Sequence, residues 1–294
     1  MAISATLFAF MNFFAKLASS SAGWASVAAV RAAIGGLVAY GIARARGASL
    51  AATDKKAIFW RSIVGTAAML TTFYALSSRT LGLGDTVTLL NLMPVFLAVL
   101  APIFLGERTP KTVVLGITVA LVGVVLVVRP TFLFGETGES VVAIVTSSGP
   151  SPSATAGVAV LAALLASIAM MLLRRVGQTE SAEAISVHFS AFATIVLSVI
   201  AVFDLRMPTT RDISFMFAAG ICGGLAQIAM TRAYSAEQAA RVSAMSYLSV
   251  VASAVLGAVV LGERPPLLAI AGMMLVIVGG VVVTFAKERY SPAA

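Results

Sequence analysis

Lys16, Arg31 and His188 each fall inside or at the end of a long apolar run in this chain of 294 residues, where a charge is costly. A charged side chain in hydrocarbon costs at least about 2.5–3.5 kcal/mol, so one that is kept usually faces a bundle interior or a water-filled cavity. Arg31, flanked by Val30, Ala32 and Ala33, either offers a guanidinium to an anionic ligand, snorkels toward headgroups, or forms an internal ion pair. Asn12 lies one helical turn before Lys16, and the two either edge a polar stripe or belong to an interfacial helix end. His188 is the sole histidine; it is a proton carrier if it titrates and a hydrogen-bonded core residue if it does not. Arg61 follows Trp60 at the start of a further run, which reads as an interfacial anchor or as another cation of the site. Asn91 precedes Pro94 by three residues, placing an amide beside backbone carbonyls that a proline frees, to bind a solute or to join two helices. Gln227 and Tyr234 share one helical stripe, Ser243, Ser246 and Tyr247 give a second polar edge, and Tyr74 adds another phenol. Such groups combine hydrogen bonds with ring surface, suited to a medium-sized organic solute, although aromatic residues in apolar helices also serve plain packing.

Other chemistries lack their residues. There is no P-loop, no zinc motif, no nucleophile elbow and no cluster with metal-ligand spacing. No metal, cofactor or ATP-driven step is therefore expected, and one histidine leaves a membrane enzyme few acid–base options. No carboxylate occupies the interior of an apolar segment, Asp85 lying near an end, which argues against a cation-binding site.

The elements that must position these residues are membrane helices. Hydrophobic residues make up 60% of the chain, charged residues 11%, and mean hydropathy is +1.01, outside the balance of soluble domains. Ten apolar stretches, at about 2–19, 24–43, 57–77, 83–105, 111–129, 154–173, 183–203, 212–233, 237–261 and 266–286, have the length needed to cross a bilayer. The first is read as a helix and not a removable signal, because no basic residue precedes it. Of the 20 Lys and Arg, thirteen fall on one side if the amino terminus is inside: Arg44, Arg46, Lys55, Lys56, Arg61, Arg108, Lys111, Arg174, Arg175, Arg232, Arg241, Lys287 and Arg289. Arg79, Arg129, Arg206, Arg211 and Arg264 fall on the other. Both termini are thus expected in the cytoplasm, with the chain in the cell membrane. The net charge of +8 follows from this asymmetry and from anionic lipid, with no nucleic acid required. Cys222, a single cysteine, forms no internal disulfide.

The chain also repeats itself. Phe104 to Val128 reads FLGERTPKTVVLGITVALVGVVLVV and Val260 to Phe285 reads VLGERPPLLAIAGMMLVIVGGVVVTF; Gly106, Glu107, Arg108, Pro110, Gly116 and Gly123 return as Gly262, Glu263, Arg264, Pro266, Gly272 and Gly279 at a constant offset of 156. Weaker matches relate Tyr74 to Tyr234, Arg31 to His188, and Lys16 to Arg174 and Arg175. Five segments per copy, an odd number, make the second copy enter from the opposite side, so the repeats are expected to be inverted about an axis in the membrane plane. The expected units are 1–129, an extracytoplasmic linker at 130–153 whose Val141 to Val145 touches the membrane surface, and 154–294 with a short cytoplasmic tail. Glycines at seven-residue spacing mark a stripe for close helix approach, and Glu107 and Glu263 read as caps near helix ends.

These residues carry a family resemblance. Lys16 closing the first segment, Arg31 within the second, Tyr74-Ala75 ending the third, and Pro94 followed by Leu105-Gly106-Glu107-Arg108 resemble the EamA-type transporters of the drug/metabolite transporter superfamily, over nearly the whole chain. Arg61 to Gly65, Leu83 to Asp85 and Arg129 to Gly135 resemble the branch related to the G-type members of the nucleotide-sugar-transporter-like solute carriers. The resemblance implies ten helices in two inverted repeats, a cavity walled by the first four helices of each copy, the fifth set aside, and export or exchange of a solute. One departure is Val250 where the first copy has Pro94, so the helix break at Pro94 is expected to lack its counterpart.

The reading is an all-α secondary transporter of a small organic metabolite bearing a carboxylate or other anionic group. Arg31, Lys16 and Arg61 would supply positive potential; Asn12, Asn91, His188, Gln227, Tyr74, Tyr234 and Tyr247 would orient the solute. Protons or a counter-substrate could drive it. The alternatives are efflux of amphipathic cations and a non-transporting membrane enzyme or scaffold.

Overall fold

The computed structural model describes residues 1–18, 23–77, 83–107, 109–134, 152–204, 208–260 and 266–285. Among them every regular element is helical: α1 Ala2–Ala18, α2 Trp24–Arg46, α3 Lys55–Ser77, α4 Leu83–Leu90, α5 Met93–Phe104, α6 Lys111–Val128, α7 Thr131–Phe134, α8 Pro152–Val176, α9 Ala182–Ala201, α10 Thr210–Ala236, α11 Ala239–Ala244, α12 Leu248–Val260 and α13 Leu267–Thr284. Short 3₁₀ turns cover Val202–Asp204 and Met245–Tyr247. By length and apolarity, 8 spans qualify to cross a membrane, with α4–α5 and α11–α12 each counted as one. The other two long elements differ for visible reasons: α1 has 17 residues, and α3 is diluted by Arg61, Thr66, Thr71, Thr72 and Tyr74. The chain is a multi-pass membrane protein. The Val141 to Val145 patch, Arg108, the Gly262 to Arg264 turn and the side chain of Lys16 lie outside the described residues.

Lipid supplies no hydrophobic force between helices, so close packing must hold them, and small residues permit it. The most extensive contact is α6 against α13. A Cβ on Gly123 would stand 2.6 Å from the Gly272 carbonyl oxygen, and one on Gly272 would stand 2.6 Å from that of Gly123. Gly116 and Gly279 repeat the arrangement at 2.9 and 2.6 Å. Each partner sum of residue numbers is the same, so the two helices run antiparallel. On the far side of α13, Leu267, Ile270, Met274, Ile277 and Val281 are exposed at three- and four-residue spacing, a stripe for acyl chains.

Elsewhere α1 packs on α10, α3 on α8, and α2 on both α9 and α10. At the α2–α10 crossing, a Cβ on Gly224 would lie 2.8 Å from the Gly35 Cα. That contact leaves no room for any side chain.

The fourth segment breaks at Asn91–Leu92, just before Pro94 in the first turn of α5. The ninth segment breaks too, against the expectation drawn from Val250. There the 3₁₀ turn Met245–Tyr247 separates α11 from α12. The hydroxyls of Ser243, Ser246 and Ser249 each donate to the carbonyl three residues earlier, at 2.8, 2.6 and 2.7 Å. Serine back-bonding of this kind competes with the α-helical ladder and tightens a turn, so no proline is needed.

Gly123→Leu must displace the Gly272 backbone. Overpacking of this kind costs about 1–3 kcal/mol, expected as a lower melting temperature of the detergent-solubilised protein; an unchanged melt would mean that the crossing does not hold the two helices.

Candidate functional site

The helices close around a small internal cavity of about 20 Å³, room for about one water. Arg31 and Gly35 of α2, Met69 of α3, Phe189 and Ser190 of α9, and Gly223, Gly224 and Gln227 of α10 border it. Arg31 is half-buried there; its Nη1 lies 3.8 Å from the Met69 sulfur, a weak acceptor that does not neutralise a cation. Gln227 is 8% exposed and its Nε2 has no hydrogen-bond partner.

Arg61 sits deeper than an interfacial anchor would. Trp60 beside it is exposed, but Arg61 is 1% exposed and turns inward. Its guanidinium carbon stands 4.7 Å from the centre of the Phe189 ring, a cation–π contact worth about 2 kcal/mol when desolvated. Gly65, one turn along α3, makes this possible: a Cβ there would lie 2.1 Å from Arg61 Nη1 and 3.0 Å from the Phe189 ring. Tyr234, fully buried, is close enough to Arg61 to interact with it electrostatically. Among the described residues, the Tyr234 hydroxyl and the Nε and Nη1 of Arg61 lack hydrogen-bond partners. Neither Arg31 nor Arg61 has a carboxylate within ion-pair distance among the described residues. The acids of the spans stand in first turns, at Asp85, Glu183 and Asp212. Unpaired buried donors cost about 1–3 kcal/mol each, and more when charged, so their concentration here calls for a physical reason.

The remaining sequence candidates divide. Asn91 and Tyr247 meet directly: the Tyr247 hydroxyl donates to the Asn91 carbonyl at 3.0 Å, while Asn91 Nδ2 bonds back to Val87 O at 2.8 Å. Both are committed to joining the two helix breaks. His188 faces away from the Arg31 cavity into a separate pocket of about 360 Å³ with Lys55, Ser62, Phe59 and Phe192; its Nδ1 is 2.8 Å from the Ala184 carbonyl. Tyr74 is 45% exposed and Asn12 is exposed, so neither joins the cavity. Met69, Phe189, Ser190 and Gly65 were missed. Of these, Met69 and Phe189 are indistinguishable in sequence from lipid-facing residues, and the place of Phe189 next to His188 is the available hint.

A second polar cluster ties the halves together at one end. Glu107 accepts from Arg174 Nε at 2.7 Å and from the Ala239 backbone N–H, at the start of α11, at 2.8 Å. It thus caps a helix of the other half and not its own. Arg174 Nη1 also donates to the last carbonyls of α10, Tyr234 and Ser235, at 3.1 and 2.7 Å. Glu183 pairs with Arg232 and, at 3.8 Å, with Arg46. Glu180 accepts from the Asp54 N–H at 2.7 Å.

A multi-pass helical bundle whose interior holds cations and hydrogen-bond donors has the make-up of a membrane transporter. The chain belongs to the EamA-like transporter family, whose description matches residues 1–129 and again 154–285, within the drug/metabolite transporter superfamily. It is 29% identical over 282 residues to the pseudopaline exporter CntI of Pseudomonas aeruginosa, covering 96% of this chain and 93% of the exporter. It is 28% identical to mouse solute carrier family 35 member G1, over 75% of this chain and 59% of that protein. A solved crystal structure superposes with a TM-score of 0.81 at 18% identity, covering 96% of this chain and 94% of the other, and establishes the shared fold.

Replacing Glu107 by Gln keeps the shape and removes the charge that Arg174 meets. Stability is expected to fall by about 1.5–3 kcal/mol, the range for hydrogen bonds to charged groups, measured as a melting shift in detergent that shrinks at high salt; equal melts would remove the clamp.

Proposed function

We propose that this protein is a secondary transporter that carries a small anionic organic metabolite across the cytoplasmic membrane by alternating access. The observation that carries the reading is the pair of cations in the interior, Arg31 and Arg61, that have no carboxylate counter-ion among the described residues. A substrate with an acidic group completes what the protein leaves open, and Gln227, Ser190 and Tyr234 offer it hydrogen bonds. The likeness to an exporter supports outward movement or exchange.

The architecture behind this reading is ten membrane segments in two inverted five-helix copies, with units 1–129 and 154–294, the linker outside, and both termini in the cytoplasm. Four observations support it. The family matches the chain twice. Repeat-equivalent helices α6 and α13 cross antiparallel, with Gly116 meeting Gly279 and Gly123 meeting Gly272. The α1–α10 contact has its counterpart in α3–α8, as exchange of the two copies requires. Asn91 and Tyr247, also 156 residues apart, touch each other, as residues on the relating axis do. The Glu107–Arg174 and Glu183–Arg46 contacts then lie on the cytoplasmic side and hold it shut, and rocking of the copies admits solute from either face. Lys16 and Asn12 on α1, and His188 as a proton group, stay within this proposal as residues along the path. An amphipathic cation is disfavoured because the spans carry no interior carboxylate.

A metabolite counterflow screen in proteoliposomes tests the reading, and an organic acid is the expected hit. Arg31→Ala and Arg61→Ala are each expected to abolish counterflow while the protein still reaches the membrane; full activity in both would sink the assignment. Gly65→Ala, which pushes the Arg61 guanidinium off Phe189, is expected to lower counterflow with little effect on the melt. Reporter tags at Ala294 and within residues 135–150 are expected on opposite sides of the membrane, and the same side would refute the topology.

A further inference from the structure

Gln227 and Tyr234 stand on one stripe of α10, seven residues apart, which is about 10 Å along a helix axis. Each is buried, and each has a polar atom without a partner among the described residues: Gln227 Nε2 and the Tyr234 hydroxyl. Each also has its own cation. Gln227 shares its cavity with Arg31; Tyr234 interacts with Arg61. The Phe189 ring lies between the two groups, lining the Arg31 cavity and stacking beneath the Arg61 guanidinium at 4.7 Å. On α3 the same order appears, with Arg61, Gly65 and Met69 spaced four residues apart, Gly65 under Arg61 and Met69 against Arg31. Two helices thus present two cationic stations in the same sequence, one above the other.

Resting on the reading of an anionic substrate, we propose that the site is bipartite and takes a solute with two acidic groups set well apart. One carboxylate meets Arg31 and Gln227, the other meets Arg61 and Tyr234, and an apolar or aromatic middle lies along Phe189. A single acid would neutralise one guanidinium and leave the other buried without a counter-ion, so a matched diacid gains at both ends. Charge-assisted bonds to a guanidinium are about twice as strong as neutral ones, so the second station is worth about tenfold or more in affinity.

The probes are a ladder of straight-chain diacids from malonate through succinate, adipate and suberate to sebacate, with the monoamide of each as a partner carrying one charge. Binding to the purified full chain is read from ligand-dependent melting shifts. The expected result is a preference for chains of adipate length or longer, with the best diacid binding at least about tenfold tighter than its monoamide. Arg31→Gln and Arg61→Gln should each erase that ratio. If either variant is not monodisperse, Gln227→Leu and Tyr234→Phe replace it, and each should weaken the diacid more than the monoamide. Equal binding of diacid and monoamide, or no dependence on length, overturns the two stations and leaves the anion reading standing. Failure of every acid to shift the melt overturns both.

Discussion

Backbone contact at glycine is the interaction on which this bundle rests. In lipid, where apolar surface gains nothing by leaving its surroundings, helices are held by van der Waals packing and hydrogen bonds, and both improve as the axes approach. Gly116, Gly123, Gly272 and Gly279 remove the side chains that would keep α6 and α13 apart. Gly35 and Gly224 do the same where α2 crosses α10, at the wall of the Arg31 cavity. The second crossing brings α2 and α10 together beside Arg31, since helices held apart by larger side chains would leave room for water around it.

That enclosure sets the energetics of the site. With a cavity of only about 20 Å³, the interior keeps charges and donors that the described residues do not satisfy. Arg61 is partly compensated by the Phe189 ring, and Arg31 has, among the described residues, only a methionine sulfur. The polar network at the Glu107 end is, by contrast, richly bonded. Arg174 joins Glu107, Tyr234 and Ser235, so the carbonyl of Tyr234 anchors the clamp while its side chain is buried in the interior. One residue therefore links this polar cluster to the interior.

Some of this was legible in the residues. Arg31 and Gln227 could be picked out because a polar side chain amid alanine and glycine has few reasons to persist in lipid, and both border the cavity. The repeat was legible because its Gly-Glu-Arg and glycine-stripe residues recur at one offset. Other positions were open or misled. Arg61 read as an anchor like its neighbour Trp60 or as a cation of the site, and only the rotation of α3 separates an exposed ring from a buried guanidinium. Val250 suggested a continuous helix because proline is the obvious helix breaker, while three serines made the break by hydrogen bonds whose sequence signal is slight. Tyr74 and Asn12 carry suitable groups on exposed faces, outside the Arg31 cavity.

Taken alone, the sequence determined the membrane class, the helical content and the family, since these depend on composition, run length and repeated motifs along one dimension. The tertiary structure decided which polar groups share a space. Helix rotation about its axis is set by packing partners distant in the chain, so Phe189 between two cations, Gly65 beneath Arg61 and Glu107 capping a helix of the other half follow from contacts that no local pattern encodes.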